Sequence, residues 1–207
     1  MKITRTSNAG ILLELDGTSV LLDGVCNEVL PYIKTPEYIK SRLVESPPDI
    51  VAFTHLHDDH FDGDYAQSYI SKTHRPVFYG SVDANTAEYK NIRLITVPTR
   101  HIGKTDIAHA SFCVCGSKTV WFMGDASPVN LDKMSSCPPP DVLVVPYAYA
   151  LTPSAWQRTK STGARYIVLV HLPDRQNDDL GLWQSVLSVT NGDISLYIPQ
   201  IDKTLIF

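Results

Sequence analysis

Three histidines and two aspartates lie within six residues, in the string His55-Leu56-His57-Asp58-Asp59-His60. This string directly follows residues 50–54, a short continuous run typical of a strand that is buried on both faces. So many polar side chains beside a buried strand would leave several groups unpaired unless a metal ion held them. Because His55 and His57 are two residues apart, their imidazoles point to the same side of an extended backbone. The string therefore predicts a metal site at the end of this strand.

Aspartate or histidine also follows the ends of other apolar strands. Counting His55 of the string, five strand ends carry such a residue: Asp23, His55, His101, Asp125 and His171. Residues at the same ends of neighbouring strands converge in a sheet-based core, even when they are far apart in sequence. Imidazole nitrogens and carboxylate oxygens are the ligands of hydrolytic metal ions. A plain structural domain gives no reason for this pattern, so we expect one site supplied by all five strand ends.

Alternation of apolar and polar residues predicts a mixed architecture. Strands are predicted at 10–15, 19–22, 50–54, 76–79, 92–97, 112–114, 120–123, 142–145 and 166–170. Helices are predicted at 37–44, from Asp62 or Asp64 to about 71, and at 83–89, 153–161 and 180–190. No internal repeat or linker interrupts the 207 residues, which predicts a single domain over 1–207.

Charge and composition disfavour several classes of function. The formal net charge is −4 and no long Lys/Arg run is present, so no nucleic-acid partner is expected. No stretch approaches the roughly 20 apolar residues that span a bilayer, and the first residues do not resemble a signal peptide. We therefore expect a cytoplasmic protein without a membrane partner. Cys113 and Cys115 are two apart in a predicted strand, so they should face the same way as reduced core residues.

The string at 55–60 resembles the signature of the metallo-β-lactamase-fold hydrolase superfamily. The order downstream is also similar: His101 after a strand, Gly124-Asp125 after a hairpin, then His171 after a late strand. The resemblance implies an α/β fold (α+β in some schemes), a four-layer αββα sandwich with its site along one edge of the packed sheets. The compact length and the Val-Pro-Tyr stretch at 145–147 look most similar to a small intracellular branch that includes L-ascorbate-6-phosphate lactonase-like proteins.

The resemblance also implies a role for each matching residue. The first metal would be held by His55, His57 and His101. The second would be held by Asp59, His60 and His171, with Asp125 bridging the two. Asp23 would lie behind the ligands, orienting a histidine of the loop and fixing its tautomer.

Two choices near the third histidine stay open. His101 is preferred over His109 because it closely follows the 92–97 strand, and His109 is expected at the surface. Many relatives carry Gly-His-Thr at this point, whereas this chain reads Thr-Arg-His-Ile-Gly at 99–103, which leaves the loop geometry undetermined. Arg100, Lys104 and Arg175 either receive an anionic group or are solvated loop charges.

The expected function is metal-dependent hydrolysis of a small, neutral or anionic ester, lactone or phosphodiester by a metal-bound hydroxide. Asp59 would orient the water or take its proton. A histidine and carboxylate site without thiolate suits one or two Zn²⁺ ions, with Mn²⁺ or iron as alternatives. The rival interpretation is a non-catalytic metal-binding protein that retains the fold. The bond cleaved, the oligomeric state and the roles of Tyr147 and Tyr149 are not determined by the sequence.

Overall fold

Thirteen strands and five α-helices are formed in the computed structural model, which describes residues 1–81, 83–103 and 106–207. The strands are β1 Lys2–Arg5, β2 Ile11–Leu15, β3 Thr18–Leu22, β4 Ile50–Phe53, β5 Val77–Tyr79, β6 Asn85–Tyr89, β7 Ile92–Thr99, β8 His109–Cys115, β9 Thr119–Phe122, β10 Val142–Pro146, β11 Tyr166–Val170, β12 Leu196–Tyr197 and β13 Thr204–Ile206. The helices are α1 Glu37–Glu45, α2 Gly63–Thr73, α3 Ala148–Leu151, α4 Pro153–Ser161 and α5 Leu182–Thr190, with 3-10 turns at Pro128–Ser136 and Arg175–Asn177.

The strands form two sheets, each with an antiparallel part and a parallel part that extends to one edge. One sheet has six strands in the order β13-β1-β2-β3-β4-β5, and the other has seven in the order β12-β11-β10-β9-β8-β7-β6. β3 and β4 are parallel in the first sheet, as are β9, β10 and β11 in the second. Parallel strands present their carboxyl ends at the same edge, and this is the edge at which the polar residues of the sequence converge.

The two sheets pack face to face because their strands alternate between an inner and an outer apolar face. In β10, Val142 and Val144 belong to the cluster between the sheets, whereas Leu143 and Val145 belong to the cluster under the helices. The inner cluster unites residues of both sheets, such as Leu13 of β2 and Phe122 of β9. A period of two along a strand produces this double-sided burial.

Helices cover both outer faces of the sheets. α1 and α2 contribute Ile39 and Tyr65 to the cluster against the first sheet. α4 and α5 contribute Trp156 and Trp183 to the cluster against the second. The layers therefore follow the order helix, sheet, sheet, helix, and the predicted αββα sandwich is confirmed.

The helices are short and locally specified. Asp62, one of the two predicted caps, accepts a hydrogen bond from the backbone N–H of Tyr65 at 2.9 Å and starts α2 just after the histidine string. Thr152 precedes α4 as predicted but makes no side-chain cap hydrogen bond. Among the described residues, no helix combines the length and the apolar character that crossing a membrane requires.

The prediction of a helix at 83–89 was wrong. Residues 85–89 form β6, which pairs antiparallel with β7 in the register Asn85↔Thr96 to Tyr89↔Ile92. The turn between them uses Lys90 in the left-handed region, with φ 52°, as short hairpin turns require. Pairing with the long β7 decides the conformation here, since strand formation depends more on neighbours than on local propensity.

Candidate metal centre

Five strand ends bring their polar residues to one edge of the sandwich. Asp23 follows β3 and His55 lies two residues beyond β4, its parallel neighbour. Asp125 lies three residues beyond β9, and His171 directly follows β11, with β10 between these two strands. His101 lies just past β7 and is held against the Asp125 loop by an isolated bridge to Ala126.

The first group of possible ligands consists of His55, His57 and His101, whose ring nitrogens lie within 4.8 Å of one another. His55 Nε2 and His57 Nδ1 are 3.0 Å apart. The other nitrogen of His55 contacts the Thr54 hydroxyl at 3.0 Å, and Nδ1 of His101 contacts the carbonyl of Ile102 at 2.6 Å. Nε2 of His55 therefore faces His57, and Nε2 of His101 faces Asp125.

The second group consists of Asp59, His60 and His171, again within 4.8 Å. Nε2 of His171 lies 3.1 Å from Nε2 of His60 and 3.2 Å from Oδ2 of Asp59. His60 and His171 are both buried, so neither imidazole has bulk water as an alternative partner.

Asp125 lies between the two groups. Its Oδ1 is 3.4 Å from Nε2 of His60, and its Oδ2 is 3.4 Å from Nε2 of His171. The same Oδ2 is 3.7 Å from Nε2 of His101, which belongs to the first group. One carboxylate thus faces ring nitrogens of both groups, as in a bridged two-metal site.

Asp23 is placed behind the histidines. Its Oδ2 accepts from the Thr54 hydroxyl at 2.6 Å and lies 2.8 Å from Nδ1 of His60, while its Oδ1 accepts from the Thr54 backbone N–H at 2.7 Å. Although Asp23 also lies within 4.8 Å of the ring nitrogens of His55 and His60, these contacts occupy both of its oxygens. With Nδ1 directed at Asp23, His60 presents Nε2 to Asp125.

Close packing around Thr54 fixes the loop that carries Asp125. A Cβ on Gly124 would lie 2.5 Å from the Thr54 hydroxyl, and Gly124 has a φ of 54°. Only glycine meets both conditions without strain. Thr54 can therefore support His55, Asp23 and the Asp125 loop at once.

Two site residues have backbone conformations that are unusual for their type. Asp23 has φ 48° and His171 has φ 66°, both in the left-handed region. A non-glycine residue there carries strain that the surrounding structure must hold. The His171 N–H donates to the carbonyl of Asn8 at 3.0 Å, one of the contacts that maintain this geometry. Strain of this kind concentrates at functional sites.

The carboxylates of the centre favour the protonated, charged form of two of its histidines. Burial by itself lowers the pKa of His171, but Asp125 and Asp59 outweigh burial and raise it to about 9. Burial likewise disfavours the charged form of His60, yet Asp125 and Asp23 raise its pKa well above the ordinary value. Burial raises the pKa of Asp125, but His171 and His60 hold it well below the ordinary range. A divalent cation would replace the protons on the two imidazoles.

The arrangement fits a transition-metal ion. Ligand bonds of 2.0–2.1 Å at tetrahedral angles place neighbouring ligand atoms about 3.3 Å apart, close to the separations within both groups. Nε2 of His101 is buried with no hydrogen-bond partner among the described residues, although it faces Asp125. A buried ring nitrogen without a hydrogen-bond partner is expected where its partner is a metal ion. Nitrogen and carboxylate donors suit Zn²⁺, Mn²⁺ or iron.

The prediction that His109 lies at the surface was wrong. His109 opens β8 and is only 2% exposed, with its ring centroid 5.1 Å from that of His55. Its Nδ1 contacts the hydroxyl of Thr99 at 2.7 Å, across the β7–β8 pair. Antiparallel pairing with β7 turns this side chain inward, which its polar sequence neighbours did not indicate. His109 lies outside both groups of ligand atoms, whereas His101 is part of one.

The described residues among the remaining candidates lie outside both groups of ligand atoms. Arg175 stacks its guanidinium on Trp183, 4.5 Å from the ring centroid, and Arg100 is exposed. Lys104 lies outside the described residues. Tyr149 is fully buried and donates its hydroxyl to the carbonyl of Ala126, so it supports the Asp125 loop rather than lining a pocket.

Tyr32 is a residue that sequence reasoning missed. Its ring meets the ring of His171 edge-on, with centroids 4.4 Å apart. Tyr32 sits in a tight turn closed by two backbone hydrogen bonds with Val29, of 2.8 and 3.0 Å. The same loop is tied to the histidine string by the Asn27 N–H, which donates to the carbonyl of Asp58 at 2.7 Å. A Pro-rich loop without periodicity gave no signal that it folds back onto the site.

Comparison with known proteins agrees with this architecture. No protein-family model and no curated protein matches the sequence. A possible metal-dependent hydrolase from Veillonella parvula is 16% identical over 99% of this chain and 98% of its own, with a TM-score of 0.74. The isothiocyanate hydrolase from Delia radicum gut bacteria is 17% identical over 100% of this chain and 99% of its own, with a TM-score of 0.68. A metallo-β-lactamase fold protein from Bacillus subtilis is 16% identical over 99% of this chain and 98% of its own, with a TM-score of 0.63.

The fold and the centre together define an αββα protein with a two-part histidine and aspartate site at one sheet edge. At such low identities the shared architecture establishes the fold alone. This chain has the metallo-β-lactamase fold, as the resemblance of its histidine string implied.

Proposed function

We propose that this protein is a metal-dependent hydrolase of a small molecule. The observation that carries the proposal is the position of Asp125, whose oxygens lie 3.4–3.7 Å from His60, His171 and His101. This carboxylate joins two groups of ligand atoms into one centre. Two ions sharing a carboxylate and a water are a recurrent device for hydrolysis.

The residues divide between two ions. His55, His57 and His101 would hold one, Asp59, His60 and His171 the other, and Asp125 both. When bound, such ions lower the pKa of water and polarise the oxygen of the group under attack. Zn²⁺ is the first choice because the ligands are imidazole and carboxylate without thiolate, with Mn²⁺ and iron as alternatives.

Asp59 is the residue placed to accept a proton. Burial raises its pKa, but the hydrogen bond from His171 and the charges of His60 and His171 outweigh burial and keep its pKa below the ordinary value. Asp59 is therefore ionised at neutral pH. Its Oδ2 faces His171 at 3.2 Å, which leaves Oδ1 to orient the attacking water and take its proton.

Tyr32 supplies a hydrogen-bond donor above the centre. Burial, the phenol of Tyr147 and the carboxylates of Asp125 and Asp59 all raise the pKa of Tyr32, so its phenol stays protonated at every physiological pH. Since its ring packs against His171, this hydroxyl would donate to the oxygen on which negative charge develops during attack. A fixed donor at that point stabilises the transition state more than the ground state.

Two exposed apolar residues adjoin proposed ligands in the sequence. Leu56, between two of the proposed ligands, is 57% exposed, and Ile102, next to His101, is 37% exposed. Among the described residues, no Lys or Arg forms an ion pair with Asp23, Asp59 or Asp125. Such surroundings favour an uncharged substrate with an apolar substituent over an anionic one.

The substrate class follows from these surroundings. A neutral ester, lactone or other small carbon electrophile suits exposed apolar neighbours of the ligands, and the isothiocyanate hydrolase that shares this fold is named for a neutral compound of that kind. An anionic sugar lactone, as the L-ascorbate-6-phosphate branch would imply, would need a cation beside the centre, and exposed Arg100, next to His101, is a candidate among the described residues. A phosphodiester has the same requirement.

The test is turnover of a matched substrate panel by protein reconstituted with Zn²⁺ or Mn²⁺. The panel comprises an uncharged lactone, an alkyl isothiocyanate, a phosphorylated lactone and a phosphodiester. We expect hydrolysis of an uncharged member and its loss in Asp125→Ala, with an unchanged far-UV circular dichroism spectrum. Metal binding without turnover of any member would favour the rival interpretation of a non-catalytic metal-binding protein. Preference for the anionic members would overturn the substrate class alone.

A further inference from the structure

A pair of thiols lies on β8, at the end opposite to the metal centre. Cys113 and Cys115 point to the same face of the strand, with their Sγ atoms 3.4 Å apart. Neither forms a disulfide. His109 and Cys115 are six positions apart in β8, which corresponds to about 20 Å along a strand. This pair is therefore remote from the residues assigned to hydrolysis.

Only one member of the pair is open to solvent. Cys115 is partly exposed and lines a surface depression of about 390 Å³ together with Lys90, Arg93 and Gly116. Cys113 is fully buried behind it. A small reagent that enters the depression meets the Cys115 sulfur first.

The surroundings stabilise a thiolate at Cys115. Arg93 is its direct cross-strand partner in the β7–β8 pair. The hydrogen bond from Cys113 lowers the pKa of Cys115, and Arg93 lowers it further, against the opposing effect of burial. The contacts with the sulfurs of Cys115 and Cys137, together with burial, raise the pKa of Cys113. The two sulfurs thus differ in character, one nucleophilic and exposed, the other protonated and buried.

We propose that Cys115 and Cys113 form a peroxide-oxidised thiol pair, with Cys115 the reacting and Cys113 the resolving residue. The Cys115 thiolate attacks one oxygen of hydrogen peroxide, so that an S–O bond forms, the O–O bond breaks and hydroxide leaves. The Cys113 sulfur then attacks the Cys115 sulfur, the S–O bond breaks and the second hydroxide leaves. The two thiol protons convert both hydroxides to water, and the net reaction is two thiols plus peroxide to one disulfide plus two waters.

The resulting disulfide would be easily reduced. Residues two apart on a strand have Cα atoms about 6.6 Å apart, near the upper limit for a disulfide. Cys115 is the last residue of β8 and is followed by the turn at Gly116, where the backbone can pleat more strongly. Strained and partly exposed disulfides are the labile ones, so a dithiol should restore both thiols quickly.

Peptide mapping separates the four cysteines cleanly. Trypsin places Cys113 and Cys115 together in peptide 105–118, Cys26 in 6–34 and Cys137 in 134–158. The metal-loaded protein is treated with hydrogen peroxide, then unfolded and alkylated with iodoacetamide without reduction. We expect 105–118 to lose two hydrogen atoms and to take up no iodoacetamide, at least about tenfold faster than any oxidation of the buried Cys26. Dithiothreitol should reverse the change.

Matched variants assign the two roles. Cys113→Ala should leave a sulfenic acid at Cys115 that dimedone traps, whereas Cys115→Ser should abolish oxidation of the peptide. Cys137→Ser is the control and should not alter the disulfide within 105–118. A disulfide that links 105–118 to 134–158 would overturn the assignment. So would oxidation of 105–118 that is no faster than that of Cys26. Neither result depends on hydrolytic turnover.

Discussion

Oδ2 of Asp23 lies 2.8 Å from Nδ1 of His60, and both side chains are fully buried. The contact leaves Nε2 of His60 facing Asp125. A carboxylate behind a metal-binding histidine fixes its tautomer and raises its basicity as a ligand. We therefore propose that Asp23 orients His60 as a ligand without binding an ion itself.

Asp23→Asn should weaken binding at the Asp59, His60 and His171 group by about tenfold to hundredfold. The carboxylate faces the Thr54 N–H, the Thr54 hydroxyl and the His60 ring, and an amide can accept at only one of its two positions. Calorimetric metal titration measures the loss. The control is Asp58→Asn, an exposed neighbour in the same string, which should bind like the parent protein. Equal affinity in Asp23→Asn would mean that this contact is not coupled to metal binding.

Removal of metal should make stability depend on pH above neutrality. The pKa of His171 is raised from 6.5 to about 9, so the folded protein holds this proton more tightly than the unfolded chain. The stabilisation is complete below about pH 6.5 and is lost as the pH rises through about 9. Urea unfolding of chelator-treated protein at pH 6.5, 8 and 9.5 should show falling stability. Metal-loaded protein should lose less, because an ion replaces the proton. Metal-free protein that gains stability over this range would contradict the assignment.

His101 and His109 should differ sharply in their effect on metal content. His101→Gln should release the ion of the first group, since its Nε2 faces Asp125 and has no other partner among the described residues. His109→Gln should retain the parent stoichiometry, because its ring lies outside both groups. Elemental analysis of the two purified variants gives the comparison. The reverse pattern would make His109 the ligand.

Tyr32→Phe should lower kcat by about tenfold to hundredfold with little change in KM. The substitution removes only the hydroxyl and retains the ring packed on His171. Steady-state kinetics with the best uncharged substrate, together with metal analysis, separates a lost donor from a lost ion. Tyr38→Phe, at an exposed tyrosine of α1, serves as the control. A rise in KM at constant kcat would instead place Tyr32 in ground-state binding.

The sequence predicts which side chains meet at one sheet edge because these signals are local. The string 55–60 follows a buried strand, and Asp125 and His171 follow others, so periodicity alone places them at one sheet edge. The burial of His109 depends instead on how β8 pairs with β7, and a strand pair turns a side chain inward regardless of its polar neighbours. Residues 85–89 became a strand for the same reason.

The position of Tyr32 was not predictable from any pattern. It depends on a loop that folds back through the Asn27–Asp58 contact and the turn between Val29 and Tyr32, which are backbone hydrogen bonds without a sequence signature. Loops that carry function are set by such contacts, whereas strands and their ends are set by the apolar pattern.

The most direct test of the central claim is anomalous diffraction from crystals of zinc-loaded protein. We expect two peaks about 3.5–4 Å apart, one among His55, His57 and His101 and the other among Asp59, His60 and His171. Asp125 should lie within bonding distance of both peaks. Ions bound elsewhere, or no ion at this edge of the sheets, would contradict it.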